Sequence, residues 1–187
     1  MDVDAAIRHR RSHKLFDGTA VSRETLQELL ELAIWAPNHK RTEPWRFTVV
    51  EGAAIAVYSA AVQDALLQRM TGQPDKLAAQ SAKLRDILGG CGAIIGVSYV
   101  KTPADAVRDR EDYAATCCAI QNLSLAAVAR GVDSYWTTSD HLIGAALGQY
   151  WEIPLEECLI GAIVLGGARI FMPASRSKTV ADVTRWR

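Results

Sequence analysis

The stretch 111-EDYAATCCAIQNLSLAAVARG-131 is the longest helical segment that the sequence predicts. Apolar residues occur on almost every side of this predicted helix, which is typical of a helix packed inside a domain. Gly131 suits the position just after its last turn. We therefore expect a central, buried helix against which the other elements pack.

The segments on either side of this helix alternate between helical and extended patterns. Predicted helices cover 22–36, 53–70, 76–88 and 140–148, and predicted strands cover 46–51, 93–100, 133–139 and 159–167. Ser22 and Asp140 suit the capping positions of the first and last of these helices, and Pro37 ends the first. With no repeats or long linker, the 187 residues predict a single α/β or α+β domain spanning 1–187.

Composition excludes several classes of protein. Lys+Arg and Asp+Glu number 21 each, so no net charge draws the chain to nucleic acid or to a membrane surface. No apolar run approaches the ~20 residues of a membrane helix, and the N-terminus lacks the apolar core of a signal peptide. The four cysteines show no C-x-x-C spacing and the four histidines are scattered. We expect reduced thiols, a cytoplasmic location and no metal site.

The segment 9-HRRSHKLFDG-18 gathers cations around one serine. In an extended conformation Arg10, Ser12 and Lys14 project from one face, because side chains alternate along a strand. Two cations and a hydroxyl on one face suit a phosphate group. The alternative is a solvated helix end, where cations also suit the helix dipole.

Two further segments combine polar and aromatic residues. In 35-WAPNHKRTEPWRF-47, the loop 38–41 could contact a polar, partly anionic ligand, or it could be a turn anchored by a buried Trp45. In 134-SYWTTS-139, a tryptophan and small polar residues at a strand end suit the wall of a pocket for a flat ring. The alternative is a core tryptophan with two edge threonines.

The polar tail 168–187 carries Arg176 and Lys178, which could complete the anion site, or could belong to a mobile terminus. The glycines of 89-GGCGAIIG-96 precede a strand instead of joining a strand to a helix. That context excludes a dinucleotide-binding fingerprint of the Rossmann type.

In this order, the segments resemble those of the nitroreductase family of flavoproteins. The resemblance extends from about residue 3 to the C-terminus, and its motifs are RRSHKLF, WAPNHKRTEPWRF, AIQNLSLAAVARG and IVLGG. The compact length and the Pro-Asn-His-Lys loop are most similar to the short NAD(P)H nitroreductase subgroup.

The resemblance implies an α+β nitroreductase-like fold, in which helices flank a central mixed sheet around a long buried helix. It also implies a homodimer with flavin mononucleotide (FMN) at the subunit interface and NAD(P)H as electron donor. The cofactor-binding residues that it implies are Arg10, Arg11, Ser12, Lys14, Asn38, His39, Arg41, Trp136, Thr137, Thr138, Arg176 and, as a competitor of Arg176, Lys178.

The implied activity is ping-pong transfer of electrons from NAD(P)H through FMN to a nitroaromatic, quinone or similar acceptor, with no dedicated catalytic side chain. The alternatives are another FMN-dependent reaction on the same scaffold, and a non-catalytic FMN storage or sensor protein. Two positions depart from the family pattern: Glu43 replaces a glutamine, and Trp35 replaces a residue that is often basic. These departures bear on the range of substrates and on the flavin potential.

Overall fold

The computed structural model describes residues 1–173 and 175–187. Its helices are α1 (Val3–His9), α2 (Arg23–Ala33), α3 (Ala54–Arg69), α4 (Pro74–Gly89), α5 (Ala106–Ala129), α6 (Asp140–Ile143), α7 (Gly148–Trp151) and α8 (Val180–Val183). Its strands are β1 (Trp45–Glu51), β2 (Ala93–Val100), β3 (Asp133–Thr137) and β4 (Glu157–Gly166). All four predicted strands and the first three predicted helices are present, and α1 and α8 lie outside the predicted helices.

The four strands form one sheet in the order β1-β2-β4-β3, and all three neighbouring pairs are antiparallel. The α+β class is confirmed. The prediction of a mixed sheet is wrong for these four strands, because parallel pairing among the described residues is limited to an isolated bridge between Ser12 and Ser134. That bridge is important for the site, since it brings the N-terminal segment alongside β3.

Helices cover both faces of the sheet. On one face, Ile95 and Ile163 pack with residues of α2 and α5. On the other face, Ile94 and Val164 pack with residues of α3, α4, α6 and α7. Strand alternation explains this division, because successive side chains of β2 and β4 point to opposite faces.

Helix α5 is central, as predicted, but it begins five residues earlier than its apolar pattern suggested. The reason is Asp105, whose carboxylate accepts hydrogen bonds of 3.1 Å from the backbone N–H groups of both Val107 and Arg108. Burial is also one-sided. Its core face includes Ile120 and Leu123, while Cys118 on the opposite side is exposed.

The predicted helix 140–148 is wrong as a single element. The chain instead forms α6, a 3-10 turn over Ala145–Leu147, and α7. Gly144 separates α6 from the turn with an extended backbone, and a Cβ there would lie 2.4 Å from the carbonyl oxygen of Asp140. The cap is Ser139, whose hydroxyl accepts from the His141 N–H, and Gly148 begins α7 instead of ending a helix.

Candidate functional site

The N-terminal segment 10–16 leaves α1 at Arg10 and runs beside β3. The backbone N–H of His13 donates to the Ser134 carbonyl at 3.1 Å, and Phe16 forms a second bridge, with Ala168. The cationic segment is thus fixed at the edge of the sheet.

Three arginines converge where α1 meets the C-terminal tail. Arg8, Arg11 and Arg176 line a pocket of about 450 Å³ together with Ile7 and Ser175. The ion pairs found among residues 1–173 and 175–187 include none of these arginines. The pocket is therefore cationic without a carboxylate to neutralise it.

Arg10 lies close enough to share the field of this pocket. Burial lowers the pKa of Arg10, and the positive charges of Arg11 and Arg176 lower it further. The Nη1 of Arg11 donates to the Arg10 carbonyl at 2.6 Å, while its buried Nε has no hydrogen-bond partner in the described part of the chain. A buried donor among clustered guanidinium groups fits a dianionic phosphate, which accepts charge-assisted hydrogen bonds.

The structure distinguishes between the two predicted tail cations. Both side chains are exposed, but Arg176 lines the arginine pocket and its charge lowers the pKa of Arg10, whereas Lys178 is not among the lining residues. Arg176 is therefore the better placed of the two for an anion at this point.

Lys14 lies apart from the arginines. Its Nζ is 5.1 Å from the centre of the Tyr135 ring, in cation–π geometry. Ser12 is exposed. Lys14 is thus placed over Tyr135 of β3, and it is not among the residues that line the arginine pocket.

The three predicted residues at the end of β3 do not form one wall. Trp136 is 39% exposed and packs over Gly161, where a Cβ would lie 2.4 Å from the indole nitrogen. Thr137 is buried, and its hydroxyl accepts from the Ser139 N–H at 3.1 Å. Alternation places Thr137 on the face opposite Trp136, which leaves Trp136 and the exposed Thr138 for a wall.

The loop 38–43 is a second group of candidate residues. His39 Nδ1 lies 2.7 Å from Glu111 Oε2, and both side chains are substantially exposed. The Asn38 amide donates to Thr42 Oγ1 at 2.7 Å, and Arg41 is exposed. The loop is thus attached to the N-terminal part of α5.

The two groups lie at opposite ends of α5. The loop contacts α5 at Glu111 and Asp112, whereas Ala6 of α1 lines a groove with Ala126 and Ala129. Seventeen residues of helix separate Asp112 from Ala129, which corresponds to about 25 Å. In residues 1–173 and 175–187, no hydrogen bond or ion pair joins the loop 38–43 to the arginines of the pocket.

Comparison with known proteins places the chain in a family. The model of the nitroreductase family matches residues 7–167. The chain belongs to the nitroreductase family.

Relatives within the nitroreductase family support this assignment at the level of sequence and fold. The Bacillus subtilis protein named "Putative NAD(P)H nitroreductase YfhC" is 29% identical over 163 residues, covering 86% of this chain and 81% of that protein. A nitroreductase-like family protein from Bacillus cereus has 25% identity and a TM-score of 0.86, covering 100% of this chain and 96% of that one. A Desulfovibrio desulfuricans structure described as a "putative nitroreductase in complex with fmn" has 25% identity and a TM-score of 0.74, covering 100% and 97%.

Besides Arg8 of the arginine pocket, two buried residues of this nitroreductase-family site were not predicted from the sequence, and His13 is the first. His13 is 1% exposed, and its Nδ1 lies 3.2 Å from the Ile170 carbonyl oxygen. Its Nε2 is 3.2 Å from Asp133 Oδ1, close enough for an ion pair although the two atoms are not aligned for a hydrogen bond. The alternation that exposes Ser12 and Lys14 also turns His13 inward, so the same pattern could have revealed it.

Asp112 is the second unpredicted residue. Its side chain is 4% exposed, and one carboxylate oxygen accepts a hydrogen bond from the Thr42 hydroxyl. The available signal was a carboxylate four residues before Thr116 on an apolar helix face, which is unusual unless the charge has a partner.

No helix in residues 1–173 and 175–187 combines the length and the apolar character needed to cross a bilayer.

Proposed function

We propose that the chain is an FMN-dependent NAD(P)H oxidoreductase that reduces nitroaromatic, quinone or similar acceptors by a ping-pong mechanism. The observation that carries this proposal is the arginine pocket with its unpaired, buried Arg11 Nε. Membership of the nitroreductase family and likeness to an FMN complex support FMN as the anion. The name of the Bacillus subtilis relative supports NAD(P)H as the donor.

The chain's own residues divide the binding of FMN between them. Arg10, Arg11 and Arg176 would hold the phosphate, since guanidinium groups donate to phosphate oxygens in a fixed fork. Ser12 and Lys14, further along the same segment, would contact the ribityl chain. Further contacts with the ring would come from Trp136 and Thr138.

The loop residues Asn38, His39 and Arg41 would act on the FMN held by the other subunit of a homodimer. This follows from their distance from the arginine pocket, because one chain presents each half of the site at a different end of α5. A symmetric dimer would bring each half to its complement.

An exposed apolar groove supports this dimer. Val3, Leu32 and Trp35 line it with Asn122 and Ala126, and Trp35 is 82% exposed in the single chain. Apolar surface of this kind at helix ends is typical of an interface between subunits.

FMN, when bound, would supply the chemistry of hydride and electron transfer between NAD(P)H and the second substrate. The protein's role is to bind, orient and shield, so we propose no dedicated acid or base among its side chains. The cytoplasmic location and the single-domain organisation remain predictions.

The experiment that tests the proposal is an absorption spectrum of FMN-reconstituted protein under anaerobic conditions, before and after addition of NADPH or NADH. Bound-flavin bands that bleach on addition of a nucleotide are the expected result. Flavin that binds but stays oxidised would favour the storage or sensor alternative, and failure to bind FMN would overturn the proposal.

A further inference from the structure

The loop that carries Asn38, His39 and Arg41 has an unusual backbone. Lys40, Arg41 and Glu43 all have positive φ angles, of 56°, 51° and 45°. In residues with a side chain this left-handed conformation is uncommon, and it persists where surrounding contacts impose it. Three such residues among the six of the loop 38–43 therefore need hydrogen bonds or packing contacts that hold them in this conformation.

The support is a chain of hydrogen bonds that begins inside the loop. Asn38 Oδ1 accepts from the Glu43 N–H at 2.8 Å, and Asn38 Nδ2 donates to Thr42 Oγ1 at 2.7 Å. Asn38 thus closes the loop across its two ends, and its second bond passes the connection to Thr42.

Thr42 connects the loop to the core of the protein. Its hydroxyl donates to Asp112 Oδ1 while it accepts from Asn38, so both of its hydrogen-bonding roles are used. The Asp112 side chain is 4% exposed, and its other oxygen lies 3.7 Å from Arg108 Nε. A buried carboxylate needs such partners, so the contact holds both the loop and Asp112 in place.

The contact between Thr42 and Asp112 is more buried than the other contact between the loop and α5. The neighbouring pair of His39 and Glu111 is 60% and 41% exposed, and exposed ion pairs contribute little to stability. Thr116, one turn further on, donates to the Asp112 carbonyl at 2.9 Å. The buried contact with Thr42 is thus the one that can define the loop conformation.

We propose that Asp112 is a positioning residue which, through Thr42 and Asn38, holds the loop 38–43 in its left-handed conformation before FMN arrives. This inference rests on the proposed function, in which the loop meets the FMN of the partner subunit. The loop would then present His39 and Arg41 to the cofactor without paying the entropy of ordering on binding.

The test uses Thr42→Val, which keeps the side-chain shape and removes the hydroxyl, with Thr42→Ser as its rescue variant. Asp112→Ala removes the other partner. Asp109→Ala is the matched control, because Asp109 also lies on α5 but accepts from the Thr102 N–H and the Tyr99 hydroxyl instead of from a loop residue. Hydrogen exchange of the loop amides is measured in the FMN-free protein, and FMN affinity by flavin fluorescence.

In Thr42→Val and Asp112→Ala we expect loop exchange to rise about tenfold and FMN affinity to fall about tenfold, while Thr42→Ser and Asp109→Ala keep loop exchange at the wild-type rate. Unchanged loop exchange in Thr42→Val would overturn the inference, and so would a loosened loop with unchanged FMN affinity. If the wild-type protein binds no FMN, the proposed function and this inference both fail. If the wild-type protein binds FMN but the variants give either of the contrary results above, only this inference fails.

Discussion

His13 Nε2 lies 3.2 Å from Asp133 Oδ1 at the junction of the N-terminal segment, β3 and the C-terminal tail. Asp133 Oδ2 accepts from the Ala168 N–H at 2.9 Å, and the His13 ring lies 5.2 Å from the ring of Phe171. The contact between His13 and Asp133 therefore joins the N-terminal segment, which begins at Arg10, to the C-terminal tail that carries Arg176.

Replacing His13 with Phe should loosen that tail. The ring would roughly keep the volume but lose the hydrogen bond to the Ile170 carbonyl and the contact with Asp133. Leaving a buried hydrogen-bonding group without its partner costs about 1–3 kcal/mol. We expect a lower melting temperature and weaker FMN binding, measured by thermal unfolding and flavin fluorescence. His9→Phe is the control, since His9 is exposed and its ring bonds to the Ala5 carbonyl within α1. Equal FMN affinity in the two variants would contradict a link between His13 and the arginine pocket.

Removing arginines from the pocket should weaken FMN binding while the protein stays folded. Arg11→Ala and Arg176→Ala should each raise the dissociation constant about 10- to 100-fold, because a charge-assisted hydrogen bond contributes about 1.5–3 kcal/mol. Arg10→Ala with Lys14→Ala should abolish FMN retention.

The control for that double variant is Lys76→Ala with Lys83→Ala, which removes the same charge from exposed positions on α4. Full FMN occupancy in Arg10→Ala/Lys14→Ala would exclude this segment as the phosphate site.

The sequence predicted those elements whose patterns are local. The β-branched run of β2 determined that strand without reference to its neighbours, and Ser22 fixed the start of α2. It did not predict the break at Gly144, because the close approach to the Asp140 carbonyl depends on the path of the chain. The sequence also suggested Thr137 for the wall of a pocket, because only the pairing of β3 with β4 shows which side of the strand faces the core.

In the candidate site, too, local patterns could be predicted from the sequence, and contacts between distant segments could not. The segment around Arg10 could be identified because its spacing is local, whereas its nearness to Arg176 depends on the C-terminal tail pairing with the N-terminal segment at Phe16 and Ala168. The separation of this segment from the loop around His39 depends on the length and direction of α5, which no single motif contains.

Cys91 should make the stability of the fold fall at high pH. Burial raises the pKa of its thiol from 9.0 to about 11. The protonated thiol is thus favoured in the folded state, so this stabilisation is complete below pH 9 and is lost as the pH rises to about 11. Cys91→Ala should lose less stability over that range, by on the order of 1–2 kcal/mol in denaturant unfolding. Parallel pH profiles of the two proteins would contradict this assignment.

Trp35→Glu should weaken the proposed dimer. A charge placed in the apolar groove would be buried at the interface, and central aromatic residues of interfaces contribute about 2 kcal/mol or more. We expect the dimer dissociation constant to rise roughly 30-fold or more in sedimentation measurements. Val57→Glu on α3 is the control, because Val57 is 63% exposed but lies on another helix away from the groove. Equal effects of the two changes would argue against the groove as the interface.

The placement of the half-sites at opposite ends of α5 predicts that two defective chains can repair one another. Arg11→Ala/Arg176→Ala would lack the phosphate half, and His39→Ala/Arg41→Ala would lack the loop half. A mixed dimer would hold one site with both halves intact and one with neither. Random mixing should therefore restore about a quarter of the wild-type FMN sites, since half of the dimers would be mixed and each would have one complete site.

The matching control mixes Arg11→Ala/Arg176→Ala with Arg10→Ala, whose defect lies in the same half, so no mixed dimer gains a complete site. FMN occupancy is measured after co-refolding, at a concentration where each variant alone stays largely empty. Recovery in the first mixture and none in the second would establish that the loop acts across the interface. Equal occupancy in both would mean that the loop serves the arginine pocket of its own chain, or that it does not contact FMN.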